Sequence, residues 1–249
     1  MTFTTHSIKY IDFHTHVLPG IDDGANDIET SISMLSALQA QGVDTVCITP
    51  HYYPHKGSYE DFLRKRKDCF ERIQPRIHEL GLGYVLAAET FLNEYLFNVD
   101  NIDDICMFGD GGRKYLLTEI PWGSSFSDST LMRIEKLMHN YNVTPVLAHL
   151  ERYDIFSDRD RVGDLLDMGC LIQSNCEAIK SKRFGLSRMM RYIDDNYVQV
   201  IGTDTHNMSS RKPNFDEGLT QIRKALGDDT IDSLMNNART IVSESIILA

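Results

Sequence analysis

Asp12-Phe13-His14-Thr15-His16, with Asp23 seven residues beyond, constrains this chain more than any other segment. Side-chain direction has period two along an extended backbone, so His14 and His16 point the same way if the strand continues through them. Residues of the same chemical type recur at His51, Glu89, Glu119, His149, Asp204 and His206, each at or just past a short apolar run. Asp204 and His206 repeat the i, i+2 geometry of the opening pair. Ligands spread from the first apolar run to the last converge most readily at one end of a closed ring of strands.

The apolar runs predict strands over 8–13, 43–49, 84–88, 115–118, 144–148, 170–174 and 198–203. Between them lie helical stripes. Ile28, Ile32, Leu35 and Leu38 form one, Phe62, Cys69, Phe70, Ile73, Ile77 and Leu80 a second, and Leu131, Ile134, Leu137 and Tyr141 a third. Met189 and Ile193, then Leu219, Ile222 and Leu226, continue the theme. Pro75 is expected to kink or divide the second helical region. Segments 93–104, 109–112 and 122–128 read as loops, 229–237 as a last helix, and 241–248 as a strand, helix end or tail. Seven βα-like units predict an α/β fold, a closed or nearly closed parallel barrel formed as a single domain over 1–249. A regular eight-stranded barrel and a doubly wound sheet are the alternatives, and both also place chemistry at the C-terminal ends of their strands.

Composition narrows the partners. The formal charge is −11, with 36 Asp and Glu against 25 Lys and Arg, which argues against a broad nucleic-acid surface. No apolar run approaches the roughly 20 residues that cross a membrane, and charges and histidines interrupt any secretory signal near the start. The cysteines, at 47, 69, 106, 170 and 176, include no CxxC pair and no C-x5-R pattern. Core thiols in a reducing, cytoplasmic setting are the expectation. Oligomeric state is left open.

Mixed carboxylate and imidazole donors suit manganese, iron, zinc or similar ions better than a thiolate-loving site. Their number is excessive for one ion and adequate for two or three. Taken singly, His51 or His149 reads equally well as a partly buried histidine, and Glu89 or Glu119 as a salt-bridge residue. Taken together on one face, they read as a metal cluster. Asp12 is expected to be buried support or an acceptor behind the ligands, and His55 a rim or loop residue. His6, His78 and His139 carry no positional argument. Arg152 and Arg211 follow His149 and His206 closely, and a guanidinium fork at the rim suits phosphate or carboxylate oxygens; a surface salt bridge is the other reading of each. Glu151 is expected to pair with an arginine or face solvent.

At these residues the chain resembles the PHP superfamily, and within it the bacterial metal-dependent protein-tyrosine phosphatases of capsule and exopolysaccharide systems. The segment from Asp12 to Ala25 resembles their opening signature. Thr49-Pro50-His51, Glu89, Glu119, the run from Pro145 to Tyr153, and Asp204-Thr205-His206-Asn207 resemble later ones. The resemblance covers about residues 8–240. It implies a distorted TIM-like (β/α)7 barrel of PHP type with three divalent ions, most often manganese. His14, His16, Glu89 and Asp204 would hold one ion, Glu89, Glu119 and His149 a second, and Asp23, His51 and His206 the third. Arg152 and Arg211 would contact phosphate. The implied substrate is the phosphotyrosine tail of a bacterial tyrosine kinase, met at the inner face of the membrane without insertion. Three places depart from the pattern: the loop Thr90-Phe91-Leu92-Asn93-Glu94-Tyr95, the segment Ser174-Asn175-Cys176-Glu177-Ala178, and Leu150 where proline is common. The altered loops bear on substrate preference.

The reaction so implied is phosphomonoester hydrolysis by in-line attack of activated water, with cations and arginines neutralising the phosphoryl oxygens. Phenolate leaves readily, and a bound water, Asp23 or a loop tyrosine remain open as proton donor. Competing readings are a histidinol-phosphate phosphatase, a phosphodiesterase or nuclease, and a non-catalytic kinase-binding protein.

Overall fold

A computed structural model of the chain describes residues 10–121, 126–180 and 186–248. His6, the first residues of the expected opening strand and most of the expected loop 122–128 lie outside the described residues. The chain runs β1 (Ile11–Thr15), α1 (Ile28–Ala40), β2 (Thr45–Ile48), β3 (His51–Tyr52), α2 (Tyr59–Glu79), β4 (Gly83–Leu86) and β5 (Glu89–Phe91). It continues through β6 (Met107–Gly109), β7 (Arg113–Glu119), α3 (Asp128–Tyr141), β8 (Val143–Leu147), α4 (Arg159–Asp167), β9 (Leu171–Asn175), α5 (Cys176–Lys180) and α6 (Leu186–Asp194). β10 (Val200–Gly202), α7 (Phe215–Leu226) and α8 (Asp228–Val242) complete it.

One parallel stretch runs β1-β2-β4 and another β3-β5-β7-β8-β9-β10. The two are halves of one wall. Pro50 has no N–H to donate, which separates β2 from β3 along a continuous path, and Ala87 N–H still donates to Ile48 O at 3.0 Å across the break. Counted so, seven parallel segments make the ring, as expected. β1 and β10 close it, with Asp204 N–H donating to His14 O (2.8 Å) and His16 N–H to Thr205 O (3.0 Å). Buried Asp12 rivets the same seam by accepting Thr203 N–H (2.8 Å) and Thr203 Oγ1–H (2.6 Å). The antiparallel strand β6, which pairs with β7, was not expected from the sequence.

Two apolar layers follow from strand alternation. The inner one gathers Ile11, Phe13, Cys47, Val85, Leu117, Val146 and Val200, with Ala238, Ile241 and Val242 of α8. Ile11 N–H reaches Met235 Sδ, so α8 floors the barrel at the N-terminal end of β1. The outer layer, with Val46, Ile48, Leu116, Leu147 and Ile201, packs beneath the helices. Segment 241–248 ends α8, turns, and pairs Ile247 with Tyr84 in an antiparallel bridge.

Helix boundaries follow local chemistry. Asp27 caps α1 by accepting Thr30 N–H at 2.7 Å, and Ser58 caps α2 by accepting Asp61 N–H at 3.1 Å. Pro75 lies inside α2, which remains one helix of 21 residues. The expectation of a divided helix is corrected here. Phe70, Ile73 and Ile77 are buried on either side of the proline, and their packing outweighs the loss of one hydrogen bond. All five cysteines are buried thiols. No helix among the described residues is long and apolar enough to cross a membrane.

Gly202 stands where β10 meets β1. A Cβ there would lie 2.7 Å from both the backbone nitrogen and the Cβ of His14. Gly202→Ala is therefore expected to cost about 1–3 kcal/mol through overpacking, read as a lower urea midpoint with unchanged slope.

Candidate metal centre

The strand alternation that fills the barrel also builds the site. Three rows climb from the apolar interior to a ligand at the mouth: Cys47–Thr49–His51, Val85–Ala87–Glu89 and Tyr115–Leu117–Glu119. β1 shifts its pairing register between Asp12 and Thr15, and both Phe13 and His14 lie inside the ring. His149 and Asp204 follow β8 and β10 with left-handed backbones, φ 35° and 53°. Such conformations are uncommon outside glycine and concentrate at functional sites.

All nine expected ligands meet at this mouth. His14 Nε2 lies 3.1 Å from Glu89 Oε2 and 3.5 Å from Asp204 Oδ1, and His16 Nε2 lies 3.2 and 3.4 Å from the same atoms. His51 Nδ1 is 3.0 Å from Glu89 Oε2 and 3.7 Å from Glu119 Oε2, while its Nε2 is 3.4 Å from Asp23 Oδ1. His149 Nε2 is 2.8 Å from Glu89 Oε1 and 4.0 Å from Glu119 Oε1. His206 Nε2 is 3.3 Å from Asp23 Oδ1. Three sets have ligand atoms mutually within 4.8 Å: His14, His16, Glu89 and Asp204; His16, Asp23, His51 and His206; and His51, Glu89 and Glu119. The first matches the expected grouping, the second adds His16 to the expected three, and the third has His51 where His149 was expected. His149 still faces both of its carboxylates.

Hydrogen bonds fix the imidazole tautomers. His14 Nδ1–H donates to Gln173 Oε1 (3.2 Å), His16 Nδ1–H to Asp22 Oδ2 (2.8 Å), and His206 Nδ1–H to Asp204 O (2.9 Å). Each then aims an Nε2 lone pair into the cluster. His14 Nε2 and His16 Nε2 stand 3.0 Å apart, and two lone pairs at that distance require a proton or a cation between them. Glu89 Oε2, Asp204 Oδ1, His51 Nδ1 and His206 Nε2 are buried and make no well-directed hydrogen bond, although imidazole and carboxylate atoms crowd each of them. Buried polar atoms without partners are costly, and coordination to divalent ions would satisfy all four. The residues present thus fit a cation cluster of mixed oxygen and nitrogen ligation.

The electrostatics agree. Burial opposes charge on His16, yet Asp22 and Glu89 raise its pKa to about 10. Burial also opposes ionisation of Asp22, but His16 holds it at about 2. Glu89 and Asp204, despite burial, are held well below the usual carboxylate range, first by His14. His51 falls to about 4, chiefly through burial, which favours the neutral imidazole that ligates metals. Asp12 rises to about 6, chiefly through burial, though Thr203 opposes the shift.

Both arginines stand where expected. Arg152 Nη2 donates to Asp204 Oδ2 at 2.6 Å and Arg211 Nη2 approaches the same oxygen at 2.8 Å, with side chains 28% and 35% exposed. Asp204 therefore turns one oxygen to the histidine pair and the other to two guanidinium groups. Of the two expectations for Glu151, solvent exposure is corrected: its Oε1 accepts Asn175 N–H (2.9 Å), its Oε2 is buried, and its charge acts on the neighbouring Arg152. His55 sits on the rim, 2.9 Å from Asn93 Nδ2, whereas His78 and His139 are exposed on helices.

Three supporting residues were missed. Asp22 also accepts the N–H groups of His51 and Gly24, each at 2.9 Å. Gln173 Oε1 accepts His149 N–H as well, at 2.9 Å, while its Nε2 donates to Asn175 Oδ1 at 2.9 Å. Asn175 Nδ2 donates to Asp204 Oδ2 at 2.8 Å. A polar glutamine inside the apolar run 170–174 was the available signal, since a buried amide needs partners.

Fold and site together define a parallel α/β barrel with a candidate metal centre at the C-terminal mouth. Residues 10–243 match the capsular polysaccharide synthesis family CpsB/CapC, and the chain belongs to that family. It is 29% identical to the tyrosine-protein phosphatase CpsB of Streptococcus pneumoniae over 95% of this chain and all of that protein. It is 24% identical to the tyrosine-protein phosphatase YwqE of Bacillus subtilis, over 95% of this chain and 93% of that one. A solved structure from work on YwqE and CpsB, described as unique metal-dependent tyrosine phosphatases, superposes with a TM-score of 0.79. It is 22% identical, covering 96% of this chain and 97% of that one. A phosphotriesterase homology protein of Escherichia coli, with phosphate in its active site, shares the fold at a TM-score of 0.57 and 13% identity, over 94% of this chain and 98% of that one.

Two outcomes follow. Asp22→Ala removes the acceptor that orients His16 and is expected to weaken divalent-cation binding about 10–100-fold, measured by calorimetry with manganese as the probe. Manganese binding at pH 7.5 is expected to release about one proton per chain, because the cation replaces the proton between His14 and His16. Affinity should then rise with pH toward the value of about 10 at His16. Calorimetry in buffers of different ionisation enthalpy counts the protons.

Proposed function

We propose that this chain is a metal-dependent tyrosine-protein phosphatase acting in capsular or exopolysaccharide synthesis. One observation carries the reading: Asp204 joins the buried histidine pair on one side to Arg152 and Arg211 on the other. A guanidinium pair suited to an anion would then stand directly beside the candidate cation cluster, which supports the reading. The names of the CpsB and YwqE relatives support the same reaction.

In this reading the nine ligands hold three divalent ions, manganese first, with iron or zinc as substitutes. His14, His16, Glu89 and Asp204 hold one. Glu89 and Glu119 reach a second with His149, and His51 also lies beside it. Asp23, His51 and His206 hold the third. When bound, the ions activate water and neutralise phosphoryl oxygens. The chain supplies the rest. Arg152 and Arg211 orient the phosphoryl group, each offering a planar fork of donors. Asp22 and Gln173 hold the imidazoles in register. Asp23, at the outer edge of the cluster, is close enough to His206 and His51 to share a proton with them. Expulsion of a phenolate needs little acid assistance.

The whole chain, 1–249, acts as one phosphoesterase domain. Its substrate is the phosphotyrosine-bearing tail of a bacterial tyrosine kinase, met in the cytoplasm at the inner membrane face. The fold offers no helix to insert there among the described residues.

Phosphate release from a phosphotyrosine peptide and from histidinol phosphate, measured side by side with manganese-loaded and chelated protein, tests this reading. The expected result is metal-dependent release favouring the peptide. Preference for histidinol phosphate would replace the substrate while keeping the centre. Retained metal without release from either would leave a binding protein.

A further inference from the structure

The rows that deliver His51 and Glu89 do not stop at those ligands. Two residues past His51 comes Tyr53, whose ring stacks on the His51 imidazole with centroids 4.9 Å apart and planes 29° apart. Two residues past Glu89, on the same side of β5, comes Phe91, paired in register with Glu119. Phe91 lies 5.5 Å from Tyr53 and 5.4 Å from His55, and His55 lies 6.5 Å from Tyr95. The side chains of Asn93 and His55 bond to each other at 2.9 Å and tie the two loops together. Lys56 Nζ sits 3.6 Å above the Tyr53 ring, so Tyr53 is held between a histidine and a lysine. Phe91 is only half-buried, and Tyr95 is 59% exposed.

An aromatic collar therefore rises from the metal ligands to solvent on one side of the mouth. A step of two strand residues is about 6.6 Å, so Phe91 stands that far outward from Glu89. An aryl phosphate with its phosphoryl group at the cations must carry its ring outward through the same level. Aromatic pairs favour centroids about 4.5–7 Å apart, the range the collar rings already keep among themselves. The loop 90–95 that supplies Phe91 and Tyr95 is one of the three places that depart from the resembled pattern.

We infer that Phe91, backed by Tyr53 and extended by Tyr95, receives the aromatic ring of the substrate and sets preference for aryl over alkyl phosphate esters. The inference rests on the proposed phosphatase reading and names a specificity element within it. Tyr53 and His55 are positioning residues for that surface, Phe91 and Tyr95 its contact residues.

The test is binding of phenylphosphonate against methylphosphonate, neither of them hydrolysable, to the manganese-loaded protein by calorimetry. The wild type should bind the phenyl compound about 5–10-fold more tightly. Phe91→Ala should erase most of that ratio while leaving methylphosphonate affinity within about twofold. An equal affinity of the wild type for both compounds, or an unchanged ratio in Phe91→Ala, overturns the collar. If Phe91→Ala does not fold, Tyr95→Ala at its exposed position carries the same criterion. Phosphate release from a phosphotyrosine peptide by the wild type separates the two failures. Release with no aryl preference in binding rejects only the collar, whereas no release from any monoester rejects the phosphatase reading itself.

Discussion

Three buried carboxylates, Glu89, Glu119 and Asp204, sit with five imidazoles in one small volume, and the structure at the mouth depends on neutralising them. Removing ionised groups from water is expensive unless they are paired and hydrogen-bonded. Protons can meet part of this need, as the raised pKa of His16 shows. Divalent cations meet it more completely, because each accepts several donors at once. The hydrogen bonds from Nδ1 of His14, His16 and His206 make sense only in that light. They settle in advance which nitrogen faces the centre.

A single geometric rule, alternation along strands, produces three layers. Low in the barrel the inward positions are apolar and pack onto α8. At the strand ends they become ligands. One step farther, on β5 and just beyond β3, they become aromatic. Fold, metal centre and specificity surface are thus successive levels of the same rows, and an error of one residue in register would displace all of them together.

The convergence of these side chains was legible from the sequence because histidines and carboxylates are conspicuous where apolar strand runs end. His14, His16, Glu89, Asp204 and the two arginines were readable by type and station, and the seven-unit count followed from apolar runs. What escaped acts through intermediaries. Asp22 touches His16 rather than an ion, and its neighbour Asp23 drew the ligand reading. Gln173 and Asn175 serve Asp204, His14 and His149 through side-chain amides, and nothing local marks an amide as a partner of residues so far away. β3 and β5 were hidden because Pro50 and the Ala87-Ala88 pair end the apolar runs while the wall continues. Pro75 does not divide its helix, because burial on both flanks overrides a local helix breaker.

The seam between β1 and β10 has a consequence for biosynthesis. Asp12 and Thr203, which rivet it, are 191 residues apart. His14 and His16 are made early, but their carboxylate partner Asp204 and the ring-closing strand are made late. A growing chain therefore holds its first two imidazoles without the geometry that would bind an ion tightly. The full set of candidate ligands, Asp204 and His206 included, comes together only after the last strand has been made and the ring can close on β1.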